Sequence, residues 1–164
     1  MRYSQDRDRQ DKEDRPYKVF KIKEGVVIDH IPAGKALHVV RVLGLSKNLG
    51  DSIITLGMNL ESKKIGKKDV VKIENKELTK EELNKIALIA PNASVNMIKN
   101  EHVSEKLNIM IPARLENIII CPNPNCITRN YDMKTKFTTI SRDPLKIRCN
   151  YCERIFDRDD VELK

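Results

Sequence analysis

Apolar positions along the chain change period several times, and each change marks an element. Residues 17–31 (YKVFKIKEGVVIDHI) alternate or run apolar, with Gly25 interrupting. That pattern predicts a strand through Val19, Phe20 and Ile22, then a second extended stretch at Val26–Ile28. After Pro32 the spacing becomes helical, with Ala36, Val40 and Leu43 on one side and Gly44 as the stop. From Ile53 the period is two, placing Ile54, Leu56, Met58 and Leu60 on one face. A polar turn, 62–68, leads into another strand at Asp69–Glu74. The clearest helix starts at Thr79. Glu82 stands three residues on, the capping-box spacing that satisfies two orphan backbone amides. Leu83, Ile86, Ala87 and Ala90 then share a face, and Pro91 stops the run.

A last strand at Ser94–Lys99 completes the order β-α-β-β-α-β, which fits a ferredoxin-like α+β sandwich with both helices on one side of the sheet. Residues 102–110 read as a link. Beyond it, short β-like pieces at 117–120, 136–141, 146–148 and 154–156 alternate with turns. They carry too little apolar area for an independent core, so the second module, all-β, needs a staple. The expected division is a tail over 1–16, an α+β domain over 17–106 and a small all-β domain over 107–164.

Composition sharpens this picture. The 164 residues are 40% hydrophobic and 34% charged, which excludes a wholly disordered chain, and no apolar run spans a bilayer. Residues 1–16 balance five basic against five acidic groups with almost nothing apolar, the signature of a disordered tail. Of the net charge of +7, a surplus of five falls in residues 17–106. There is no secretory signal, so a cytoplasmic location is expected, where four cysteines favour metal over disulfides.

Those cysteines come as two close pairs, Cys121/Cys126 and Cys149/Cys152, with twenty-two residues between the pairs. Two short turns carrying two thiolates each are what a tetrahedral four-sulfur zinc site needs, and four protein ligands leave no open position for catalysis. One structural Zn2+ per chain is therefore expected, and it would supply folding free energy to the second module. Nothing in the chain reads as an enzyme. The three histidines form no metal-spaced pair, and there is neither a nucleophile elbow nor a glycine-rich phosphate loop. Asp29 and His30, adjacent on an extended stretch, should point to opposite faces.

Two binding functions compete at this point. The basic surplus suits a nucleic-acid-binding zinc ribbon, although 4% aromatic residues leave few rings for base stacking. The alternative is a regulatory module that binds a small anion and docks a partner. Lys63, Lys64, Lys67, Lys68 and Lys72 favour a polyphosphate or nucleotide as that anion, while a lysine-rich turn such as 63–68 also reads as solvated surface. Lys72 alternates with Val71 and Ile73 and would hold its ammonium above the sheet.

Several motifs occur in order: V-I-D-H-I-P-A (27–33), G-M-N-L (57–60), G-K-K-D-V-V-K-I-E-N (66–75), A-P-N-A-S-V-N-M-I (90–98), E-N-I-I-I-C-P-N-P-N-C-I (116–127) and C-N-Y-C-E (149–153). Together they closely resemble the regulatory chain of aspartate carbamoyltransferase, a pyrimidine-biosynthesis enzyme, over residues of about 17 to 160. The resemblance implies a non-catalytic allosteric domain followed by a zinc domain. It implies dimers of this chain that link trimers of the catalytic chain, with CTP and UTP inhibiting and ATP activating. No DNA, RNA or membrane partner is implied.

Carried over by position, the nucleotide site falls on Val19, Ile22, Asp29, His30, Val70, Lys72, Asn96, Ile98, Val103 and Lys106. Lys72 and Lys106 would face the triphosphate, and Asp29 and Asn96 the sugar and base. Glu101 departs from the family pattern, in which well-studied members carry tyrosine beside the base and sugar pocket.

Overall fold

A computed structural model describes residues 19–45, 47 and 50–164, so the expected tail over 1–16 lies outside the described residues. The first sheet comprises β1 (Gly25–Pro32), β2 (Ile54–Ser62), β3 (Gly66–Glu74), β4 (Ser94–Lys99) and β5 (His102–Leu107). Helices α1 (Ala36–Val42) and α2 (Lys80–Ile89) interrupt this series. The spatial order β2-β3-β1-β4-β5, with every neighbouring pair antiparallel, is the ferredoxin-like arrangement extended by one edge strand. That extra strand, β5, replaces the link expected after Asn100. It forms because Asn100 and Glu101 adopt positive φ (50° and 66°) and turn the chain back along β4.

The helices cover one face. Ile28, Val71, Ile73 and Val95 from the sheet are buried against Val39 of α1 and Ile86 of α2. Thr79 accepts the Glu82 amide and Glu82 accepts the Thr79 amide, closing the capping box read from the sequence.

Two further expectations fail for identifiable reasons. Residues 19–24 form no strand. β1 already has β3 on one edge and β4 on the other, so the preceding chain has no free edge to join. It lies over the sheet face opposite the helices, tied by hydrogen bonds from Glu101 N to Lys23 O (3.0 Å) and Asn75 N to Glu24 O (3.2 Å). Gly25 marks the entry. A Cβ there would sit 2.1 Å from the Ile73 carbonyl oxygen, so only glycine lets β1 begin so close to β3. In β2, Ile54 and Leu56 share a face as expected, opposite the buried Ile73 and Val71. The register then shifts between Gly57 and Leu60 and Asn59 has φ 55°, so the alternation does not carry on to Met58, which stays exposed.

The fully buried Asp69 holds three elements together. Its carboxylate accepts the amides of Gly34 (2.8 Å) and Ala36 (3.0 Å) at the start of α1, and that of Asn59 (2.8 Å) at the β2 bulge. Lys35, the residue flanking α1, supplies no side-chain cap, so Asp69 does so from across the sheet.

The second unit has a four-stranded sheet and a two-stranded one. In the former, β10 (Ile155–Asp157), β9 (Leu145–Cys149), β8 (Lys136–Arg142) and β6 (Arg114–Glu116) lie side by side. In the latter, β11 (Glu162–Leu163) pairs with β7 (Ile119–Ile120). The sequence pattern locates β7 to β10 but not β6 and β11, whose three and two residues are too few to show a period. The core of this unit gathers Leu115, Ile119, Phe137, Leu145 and Ile147 around the cysteines. Ala87 and Leu88 of α2 belong to it too, and Arg158 donates to the Leu88 carbonyl (2.6 Å) at the end of that helix.

Replacing Asp69 by alanine leaves three amides without their acceptor. Chemical denaturation should show a loss of roughly 3 kcal/mol for Asp69→Ala. A loss below about 1 kcal/mol, the scale of a single ordinary hydrogen bond, would mean that the carboxylate is not what secures α1 to the sheet.

Candidate functional site

The cysteines are delivered by two turns. Cys121 follows β7, and Cys126 precedes the one-turn helix α3 (Ile127–Asn130), closing a loop in which its amide donates to the Asn123 carbonyl (3.0 Å). Cys149 ends β9, and Glu153, at φ 59°, turns the chain so that its amide donates back to the Cys149 carbonyl (3.0 Å). Arg129 fixes the first turn from outside, donating to the Cys121 carbonyl (2.7 Å).

All four sulfurs lie within 4.8 Å of one another. Cys121 and Cys152 are 3.7 Å apart, and Cys126 and Cys149 3.8 Å. A disulfide would require ~2.05 Å. Ligands at ~2.3 Å from a central ion are about 3.8 Å apart along a tetrahedral edge, so the donor set fits a tetrahedral metal ion.

The electrostatics agree. Burial pushes the Cys121 and Cys149 thiols up, because thiolates in an apolar core need a cation to balance them. For Cys152 burial acts upward too, but hydrogen bonds centred on Arg154, Asn123 and the neighbouring thiols bring it down to about 7.

The residues expected to bind nucleotide lie mainly on the sheet face opposite the helices. Cross-strand pairing lines up Thr55, Lys72, Val27, Asn96 and Lys106 in one row over all five strands. Residues paired this way share a face. Ile98 and Val103 pair in β4 and β5, with Ile98 buried and Val103 exposed. Val70, also buried, lies two residues before Lys72 on β3.

Asp29 and His30 do not point apart as expected. His30 has φ 59° within a register shift between Ile28 and Ile31, and this break in the pleat lets both residues line one cavity. That cavity, about 480 Å³, is also lined by Lys64, Ser94, Asn96 and Lys106. Asp29 is not free within it. Lys68 approaches its carboxylate to 2.8 Å and the His30 amide donates to it (2.6 Å). The His30 Nδ1 and Asn96 Oδ1 atoms are buried without a hydrogen-bond partner. The nearest Asp29 oxygen to that nitrogen is 3.6 Å away, too far for one.

Lys72 is placed differently. Its ammonium stands above the sheet, as its alternation with Val71 and Ile73 predicts, but donates to the carbonyls of Val19 (3.3 Å) and Phe20. Burial lowers its pKa, partly offset by the Asp29 charge. Val19 and the buried Ile22 therefore form a strap that Lys72 fastens, while Asp29, His30, Asn96 and Lys106 surround the cavity. Lys64 and Lys68 are among the lysines the sequence offers to a polyphosphate, but the lysine-rich turn gives no sign of which of them reaches the cavity and which pairs with Asp29.

Two family models match the chain: the aspartate carbamoyltransferase regulatory chain, allosteric domain, over residues 17–110, and its metal binding domain, over 113–162. The aspartate carbamoyltransferase regulatory chain of Pyrococcus horikoshii is 54% identical over 144 residues, covering 88% of this chain and 95% of that protein. The corresponding chain of Pyrococcus abyssi is 52% identical with the same coverage, and that of Saccharolobus islandicus is 49% identical over 87% of this chain and 90% of its own. Among the described residues no helix is long and apolar enough to cross a membrane.

The sulfur geometry leads to a direct expectation. Metal analysis should find one ion per chain, and chelation or Cys126→Ser should remove hydrogen-exchange protection from 114–163 while β1 and β3 keep theirs. Full protection of both units after metal removal would show that the second core stands without its ion.

Proposed function

The chain belongs to the aspartate carbamoyltransferase regulatory chain family, and on that premise we propose that it is a nucleotide-responsive subunit linking catalytic trimers. It is a regulatory chain, not a catalytic one. In this reading residues 17–106 form the allosteric domain, binding CTP and UTP as inhibitors and ATP as activator at one site. Residues 107–164 form the docking domain, and the chain works in the cytoplasm as a homodimer joining catalytic chains.

The observation that carries the proposal is the row Lys72–Val27–Asn96–Lys106 lying beside a polar cavity lined by Asp29 and His30. Its volume, about 480 Å³, suits a small organic ligand. Lys106 offers an ammonium to a polyphosphate, the unpartnered Asn96 oxygen accepts from a base or sugar, and the strap at Val19 and Ile22 closes over the base. Val70, Ile98 and Val103 supply the apolar side. Glu101 stands at the turn between β4 and β5, where its carboxylate disfavours a nearby anion.

The metal is proposed to be Zn2+, held by Cys121, Cys126, Cys149 and Cys152. Its contribution is cohesion, since four thiolates leave no position open for a substrate. The second unit then presents a fixed surface to the catalytic chain.

Regulation follows from linkage. An effector shifts the assembly between states only by its differential affinity for them. A purine and a pyrimidine sharing one pocket oppose each other when the larger ring holds the strap in a different position.

Calorimetric titration of the metal-loaded chain with CTP and ATP, together with size-exclusion alongside the catalytic trimer, tests the proposal. The expected result is saturable, mutually competitive binding and a metal-dependent larger complex. Complex formation without nucleotide binding would refute the effector site. Salt-sensitive RNA or DNA binding with no complex would refute the whole reading in favour of a zinc ribbon.

A further inference from the structure

The cavity beside β1 holds more positive charge than the family motifs supply, and the difference comes from the turn between β2 and β3. Lys64 lines this cavity together with Lys106, and neither ammonium has an ion-pair partner among the described residues. The one carboxylate lining it, Asp29, is already neutralised by Lys68 at 2.8 Å. Lys72, by contrast, does not line the cavity, and its ammonium is taken up by two backbone carbonyls of the strap.

We infer that Lys64 is a specificity-determining residue of the effector site, which with Lys106 holds the terminal phosphates of a nucleoside triphosphate. This rests on the nucleotide-binding proposal above. The four lysines of the turn divide by geometry. Lys68 is committed to Asp29, Lys67 pairs across the hairpin with the Glu61 position, and of the remaining two it is Lys64, not Lys63, that lines this cavity.

Two ammonium groups without counter-ions are a poor match for a neutral ligand or a single negative charge and a good match for a polyanion. Lys64 therefore acts on phosphate number rather than base identity. Its seat on a hairpin turn, anchored by the Lys64 amide donating to Ser62 Oγ (3.3 Å), leaves the rest of the sheet independent of it.

The test is calorimetry of the full-length, metal-loaded chain at low salt with CTP and CMP as paired probes. Lys64→Ala should weaken CTP roughly tenfold, the scale of one partly screened charge contact, and leave CMP within about twofold. The slope of log affinity against log salt for CTP should become shallower, and Lys64→Arg should restore most of the CTP affinity. An unchanged melting temperature for Lys64→Ala separates lost charge from lost fold.

Equal weakening of CTP and CMP, or no change in either, overturns the inference while leaving the nucleotide site intact. A wild-type chain that binds neither probe overturns both this inference and the proposal beneath it.

Discussion

β1 is hydrogen-bonded along both edges, to β3 and to β4, and that single constraint orders most of the functional face. A central strand cannot accept a further neighbour, so the chain before it must leave the plane of the sheet. It does so at Gly25, where a side chain has no room, and lies across the open face as a strap. The same strand carries Asp29 and His30 to the end of the sheet at a break in its own pleat. The strap and the cavity are thus two consequences of one strand position. Asp69 complements this from the neighbouring strand, with one buried carboxylate fixing α1 and the β2 bulge to the sheet.

Helix α2 joins the two units. Ile86 faces the first core, while Ala87 and Leu88 face the second. Arg158, from the second unit, donates to the Leu88 carbonyl and supplies the positive charge that the last turn of α2 lacks. A rearrangement of the first sheet that moves α2 therefore repacks the second core as well. Close-packed interiors pass displacements on in this way because there is little free volume to absorb them.

The second unit shows why a small β-rich module needs a staple. Several of its strands have only two or three residues. Cys121, Cys126 and Cys149 are buried beside Phe137 and Ile147, with Cys152 partly buried against them, so the donor set forms part of the core rather than hanging from its edge. Thiols pushed up by burial become thiolates readily only against a cation, which couples metal binding to folding of this unit.

Features encoded by short-range pattern are legible in the amino-acid order itself. The capping box at Thr79 and Glu82, the alternation around Lys72 and the two cysteine pairs each depend on residues a few positions apart, and their geometry follows from helix, strand or turn periodicity alone. The order of elements likewise restricts the sheet to a ferredoxin-like arrangement, because few topologies accommodate it. What local pattern does not convey is competition among segments for the same sheet edge. Val19 to Ile22 has the composition of a strand, yet it forms a strap because both edges of β1 are taken. Asp29 and His30 share a cavity because a bulge alters the pleat, and Lys64 is set apart from its neighbouring lysines only when the hairpin folds against the end of the sheet. Those outcomes depend on which groups already occupy the space and the hydrogen bonds, and that is decided by the tertiary structure.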